Sequence, residues 1–510
     1  MKEQNASRFF FDNRDHELLR IVNEVLGRDQ AEEHAKQRFY PHFHPNGITE
    51  MAESKGLRIA YAVAHLLASL RGGRVNERLM SLRSLKEEIL DTAEGPMPNN
   101  TARVLLEIMK ELVRAYGDHD RQLELARDFR SAASGKPRVV RRMLRRYHLL
   151  EMPEAWNQIT FDDHVHDANT KGRKSATHLI MDAWIKGIRR LRVIYYNYIE
   201  SRFAAELTEA AGILGIDLRI GIEFAARFRD RYTQLIWVPR GFADAQAFLC
   251  FLAEPQVMEF MADGRRVSEF KRDYVLDILE RFNTTHRRAI NRDLGIDFPP
   301  VDRDEFLDFV NPGQASILHL AKFIHQGLLK TLTEKLAALQ KDYETADPDK
   351  RQDIERLVEE MNALDSDALI KRFLCPASNP DVPCPDIPSD RTDLPEMLRL
   401  SLRELLQRLT HLHSGYRITL NLSNLKSEDV LELIYDGEGL ITRLEIYNLK
   451  DHAEGKAEHL PHINELQQAI NEGSAIRLKG VIRDIIERVK ASPYPDRDDR
   501  LEKLCGILHD

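Results

Sequence analysis

Two histidines one residue apart stand in the run Asp162-Asp163-His164-Val165-His166-Asp167. On an extended segment alternate side chains share a face, so His164 and His166 point the same way. Two neutral imidazoles on one face, with carboxylates beside them, are a ligand set for zinc, manganese or iron. The spacing alone has little specificity. The chain carries 19 histidines, and Pro41-His42-Phe43-His44-Pro45 holds a second pair in a proline-flanked loop, read as structural. The loop after the first pair, NTKGRKS, brings Lys171, Arg173 and Lys174, three cations suited to an anionic group. Farther on, Gly221-Ile222-Glu223-Phe224 places a carboxylate in a β-like segment.

The continuous run from Phe161 to Pro239 resembles the first half of the PHP (polymerase and histidinol phosphatase) family. On that resemblance His164 and His166 match the opening ligand pair, and Glu223 matches the carboxylate that bridges metals. Leu444-Glu445-Ile446-Tyr447-Asn448 is similar to a late barrel strand of the family. The resemblance implies a distorted β/α barrel, a divalent metal (zinc, manganese or iron) and hydrolysis of a small phosphorylated substrate. Asp163 or Asp167 would then orient an imidazole as the catalytic carboxylates, and Lys171, Arg173 and Lys174 would hold an anionic substrate. The departures are equally specific. Tyr196-Asn197 stands where the family has Asp-His, and Gln234 where it has His. Amides are poor metal ligands and good hydrogen-bonding groups, so Asn197 and Gln234 are assigned to substrate binding. The family's final Asp-x-His has no match before Asp510, so that pair is expected to be missing or to lie past the end of this sequence. His452, in KDHAEGKAEHLPHINEL, is the outside candidate for a further ligand. Two functions follow: a PHP-type metal-dependent phosphoesterase, or a catalytically inactive PHP-like barrel serving as a binding or regulatory module.

The elements that must carry these residues are legible in the periodicity. Residues 1–152 read as an all-helical N-terminal domain. ITEMAESKGLRIAYAVAHLLASLRGG is a helix ending at Gly72-Gly73, and TARVLLEIMKELVRAYG is a helix with Asn100 or Thr101 as cap and Gly117 as terminator. Over 153–254, QITFDDHV, RLRVIYYNYI, IDLRIGIEF and TQLIWVP alternate with helical stretches, the pattern of parallel β/α units and the first half of a barrel. Residues 255–414 read as a helical insertion, with a helical hairpin about Asp347-Pro348-Asp349 and a proline-rich loop after which Thr392 caps the next helix. Residues 415–510 supply the later β/α units: strands in YRITLNLSNL and LITRLEIYNL, the helix SEDVLELIYDGEG, and a last stretch helical at least from Val481.

Composition narrows the partners. A net charge of −8 and 43% hydrophobic residues describe a globular chain with no electrostatic mandate for nucleic acid. The helix KPRVVRRMLRRYH, with Arg138, Arg141, Arg142, Arg145 and Arg146, reads as a solvated face. No apolar run approaches the roughly 20 residues a bilayer span needs. Four scattered cysteines suit a reducing cytoplasm. The helical regions are the expected surface for any protein partner.

Overall fold

The computed structural model describes residues 11–27, 74–93, 95–156, 160–172, 174–310, 313–445, 455 and 458–510. The expected helix at 48–73, the His42/His44 pair, Ile446 to Asn448, Arg173 and His452 lie outside the described residues. The architecture is mixed α/β, with one six-stranded sheet in the order β1-β2-β3-β4-β5-β6 and many helices. The chain divides into two compact units, and strands β2 and β3 pass from one into the other.

The first unit comprises residues 1–193, 200–220 and 244–249. Its helices include α1 (Asn13–Gly27), α2 (Val75–Thr92), α3 (Pro98–Arg114), α4 (His119–Ala132) and α5 (Pro137–Arg146). Helix α3 starts earlier than its sequence signals suggest. Pro98 takes the first helical position, so Asn100 and Thr101 lie within the first turn rather than capping it. The free N–H groups of Asn99 and Asn100 instead reach the Glu154 carboxylate at 2.8 and 3.2 Å. A distant acid does the work expected of a local cap. Past the helix, Gly117 takes a left-handed φ of 94°, the terminator anticipated there.

Beyond α5 come β1 (Phe161–Val165), α6 (Ala176–Lys186), β2 (Arg190–Tyr196) and α7 (Ser201–Leu214). β1 runs parallel to β2, and Phe161, Asp162 and Val165 pair with Arg190, Leu191 and Val193. One extra residue on β1 therefore sits between Asp162 and Val165. Asp217 N donates to Arg189 O at 2.8 Å, which sets the start of β3 beside β2.

The second unit comprises residues 194–199, 221–243 and 250–510. Here the expectation of parallel units throughout is corrected. β3 (Asp217–Phe228) and β4 (Arg231–Pro239) form an antiparallel hairpin, in register from Ile222↔Trp237 to Phe228↔Arg231. Only Arg229 and Asp230 join them, and a parallel crossover needs a dozen or more residues. β5 (Tyr416–Leu420) is antiparallel to β4, and β6 (Arg443–Leu444) is parallel to β5.

One face of the hairpin is covered by aromatic packing. Phe224 meets Phe260 of α8 (Pro255–Arg281) with ring centroids 5.3 Å apart, and Trp237 meets Phe251 at 6.2 Å. α9 (Ile317–Thr345) and α10 (Pro348–Asn362) form the helical hairpin anticipated around Asp347, whose carboxylate accepts from Lys350 N. Their apolar faces join a core that includes Phe282, Phe306, Leu320 and Leu328. Thr392 is not a cap. The next long helix, α11 (Leu402–Leu412), is capped by Ser401, with Glu404 completing a capping box. Then come α12 (Ser427–Asp436), α13 (Ala475–Ala491), which contains the stretch expected to be helical from Val481, and α14 (Arg497–His509). Among the described residues no helix is long and apolar enough to cross a membrane.

Candidate functional site

The first unit holds the histidine pair. His164 is in β1 and His166 directly follows the strand. Their rings lie edge to face with centroids 5.1 Å apart, side by side as the spacing predicts. The loop behind them folds back sharply. Asp167 is fully buried; its carboxylate accepts from the backbone and side-chain nitrogens of Asn169, and its carbonyl accepts from Gly172 N at 2.8 Å. Gly172 is required there, because a Cβ would stand 2.3 Å from the His166 carbonyl oxygen. Ala168 N donates to Lys174 O and closes the loop.

The charges around the pair have partners of their own. Asp163 meets the buried Arg192 of the neighbouring strand at 3.2 Å. Lys174 is paired with Asp182 of α6, and that carboxylate also holds Lys110 of α3 at 2.9 Å. Lys174 is thus built into a buried network, whereas Lys171 is exposed. Burial and the positive charges of Lys174 and Lys110 push His178 of the same network down to about 3, so it stays neutral.

The second unit carries Asn197, Glu223 and Gln234, and the sheet register brings the last two onto one face. Glu223 pairs with Ile236 and Ala225 with Gln234, so Glu223 and Gln234 are diagonal neighbours. Asn421 N donates to Gln234 O, which extends the same face to the end of β5, and Glu445 N donates to Leu420 O at the end of β6. Glu223 and Gln234, with Asn421 and Glu445 directly after β5 and β6, thereby form a polar row across four adjacent strands. Thr419, paired with Ile236 on this face, has a buried hydroxyl with no hydrogen-bond partner among the described residues. Asn421 and Thr419 carry no sequence signal of their own; only the register reveals them.

Asn197 sits at the end of β2 with a left-handed φ of 62°. Its N–H donates to Glu223 O at 2.9 Å, and its side-chain amide donates to Ser268 Oγ on α8 at 3.3 Å. The neighbouring Tyr196 carbonyl accepts from the Gln314 amide at 3.0 Å. Burial and the Glu223 charge push the Tyr196 hydroxyl upward, so it is neutral at any physiological pH. At the position where the resemblance calls for Asp-His, this chain has an un-ionised phenol and an amide hydrogen-bonded to a helix.

Of the other candidates, all five arginines of α5 are exposed, and Arg141 and Arg146 pair with Glu151 and Asp128. His413 Nε2 donates to Arg240 O and its ring stacks on Phe242, a structural role. His319 bonds Gln314 O and Ser316 Oγ at the start of α9.

Among the described residues no group of three or more His, Cys, Asp or Glu side chains is placed to hold an ion. Among the described residues of the first unit, His164 and His166 supply two neighbouring imidazoles. In the second unit amides separate the two carboxylates of the polar row.

No family model matches the chain, and no curated protein is similar to it in sequence. Two solved structures overlap it in part. A Bifidobacterium adolescentis protein described as a metal-dependent phosphoesterase is 14% identical, with 59% of this chain and 84% of that one covered and a TM-score of 0.35. An amidohydrolase from Chromobacterium violaceum, solved with bound sulfate and no metal, is 14% identical, with 58% and 81% covered and a TM-score of 0.36.

Proposed function

We propose that this chain is a PHP-like barrel acting as a binding or regulatory module, in which hydrogen-bonding side chains replace the metal cluster of the family. The observation that carries this reading is Asn197. Its amide is committed to Ser268 on α8, at the position where the resemblance calls for a metal-binding histidine. Gln234 stands where the resemblance calls for a further histidine, and Asn421 and the buried Thr419 hydroxyl add hydrogen-bonding groups to the same face. Such a row suits a small polar ligand, taken up through directional hydrogen bonds from amides and carboxylates. A small phosphorylated compound remains the ligand class that the resemblance supplies, with the exposed Lys171 as its cation.

The second reading is a metal-dependent phosphoesterase, and the paired rings of His164 and His166 favour it. On that reading the two imidazoles are ligands, and a bound metal supplies an activated water and a polarised phosphoryl oxygen.

One experiment separates the two. Protein purified without chelators or a histidine tag is reconstituted with zinc, manganese or iron, and its metal content is measured with its activity on p-nitrophenyl phosphate. The module reading expects well under one equivalent of metal and no metal-dependent turnover. A full equivalent that is lost in His164→Ala, together with phosphatase activity, overturns it in favour of the enzyme.

A further inference from the structure

The first unit contains a cavity of about 220 Å3 that the strand-end residues do not line. Its walls include Ile89 of α2, Leu106 of α3, Trp184 of α6 and Leu214 of α7, with Trp156 and Arg189 from the segments leading into β1 and β2. It therefore sits at the entry ends of these strands, whereas His164 and His166 stand at the exit end of β1. In β/α barrels the exit ends carry the reacting groups, so this cavity is a separate feature.

The aromatic wall is well formed. Trp156 and Trp184 approach with ring centroids 5.7 Å apart. The Arg189 guanidinium lies over the Trp156 ring at 5.2 Å, and among the described residues it forms no salt bridge. Burial lowers its pKa. The other polar groups at the cavity are already engaged. Lys86 Nζ donates to Ile213 O, and the Asn99 amide donates to Glu154 O. Glu154 also occupies the start of α3. Among the described residues that line the cavity, Arg189 is thus the cation placed to receive a ligand, on the rim of a largely apolar space.

We infer that this cavity binds a small aromatic carboxylate, with its ring against Trp156 and Trp184 and its carboxylate on Arg189. A cavity near 150 Å3 lined by apolar side chains accommodates benzene, so this volume suffices for a ring with one anionic substituent. A guanidinium makes two parallel hydrogen bonds to a carboxylate, and the desolvated rim strengthens them. The proposal is independent of the strand-end reading.

The test uses the full chain and two probes, benzoate and the neutral benzyl alcohol, titrated by calorimetry. Benzoate is expected to bind saturably and more tightly than benzyl alcohol. Arg189→Gln should weaken benzoate by roughly tenfold or more while leaving benzyl alcohol unchanged, as expected for loss of one charge-assisted pair. Leu214→Trp, which fills the cavity from its half-exposed side, should abolish binding of both. Absence of saturable binding by either probe overturns the proposal. So does an unchanged benzoate affinity in Arg189→Gln or in Leu214→Trp.

Discussion

The carbonyl oxygen of Asn197 occupies the notch that Gly264 leaves in helix α8: a Cβ on Gly264 would stand 1.9 Å from it. The strand end that the PHP resemblance assigns to metal binding is thereby clamped by a helix of the 255–414 region. Gly264→Ala must displace either the helix or the strand, and a cost of about 3 kcal/mol or more is expected from an overlap of that size. Gly480 in α13 is the control, since nothing lies within 4 Å of its would-be Cβ. Gly480→Ala should be neutral or stabilise by up to ~1 kcal/mol through helix propensity. Urea midpoints of the two variants check the contrast, and equal effects would refute the clamp.

Gly172 makes the corresponding demand in the other unit. Its alanine variant pushes against the carbonyl of His166, so the loop must open and the imidazole must move. A change is expected in the His166 ring resonance in proton NMR, along with a loss of about 1–3 kcal/mol. An unmoved resonance would mean that the loop yields elsewhere and leaves the histidine pair intact.

How much of this was legible beforehand depends on whether the signal was local. The His164/His166 pair, the Gly-Ile-Glu segment and the helical hairpin at Asp347 were readable because spacing and capping chemistry act over a few residues. The β3–β4 hairpin was not. Its turn, Arg229-Asp230, lacks the Asn-Gly or Gly signature of a tight hairpin, and Arg229 adopts a φ of 52° without being glycine. The guanidinium explains why the turn holds: it pairs with Glu432 at 2.7 Å and Asp496 at 2.8 Å, residues some two hundred positions or more away. Asn421 and Thr419 were invisible for a related reason, since their membership of the polar row depends on register across three strands. The cap of α3 by Glu154 belongs to the same class of long-range contact.

That turn leads to a buried charged cluster of the second unit. Asp429, only 2% exposed, accepts from Arg231 at 2.5 Å and Arg500 at 2.7 Å, and also from Lys426 N at the start of α12. Asp429→Asn leaves two guanidinium groups short of their counter-charge in a buried setting. Arg500 keeps Asp496 and Arg231 keeps the Asn424 carbonyl, so the expected loss is about 3 kcal/mol rather than the upper end for such breaks. Because the pair is buried, the loss should persist in 0.5 M salt, where surface pairs are screened. A loss that disappears in salt would place Asp429 in an exposed, solvated role.

His178 provides a pH signature for the first unit. Burial and the nearby Lys174, Lys110 and Arg114 hold its folded pKa at about 3, against an ordinary value of 6.5. Asp182 lies 3.8 Å from Nε2, but that carboxylate is already engaged by Lys174 and Lys110 and offers the imidazole little compensation. Between pH 6.5 and 3 the unfolded chain therefore binds a proton that the folded chain refuses, so stability falls as pH falls through this window. Between pH 7 and pH 5 this one residue should remove about 2 kcal/mol. His178→Asn should flatten the profile by that amount in urea unfolding at the two pH values. Parallel profiles for the variant and the parent would mean that the folded imidazole accepts its proton near the ordinary value, and that the Lys174–Asp182–Lys110 network is open to water.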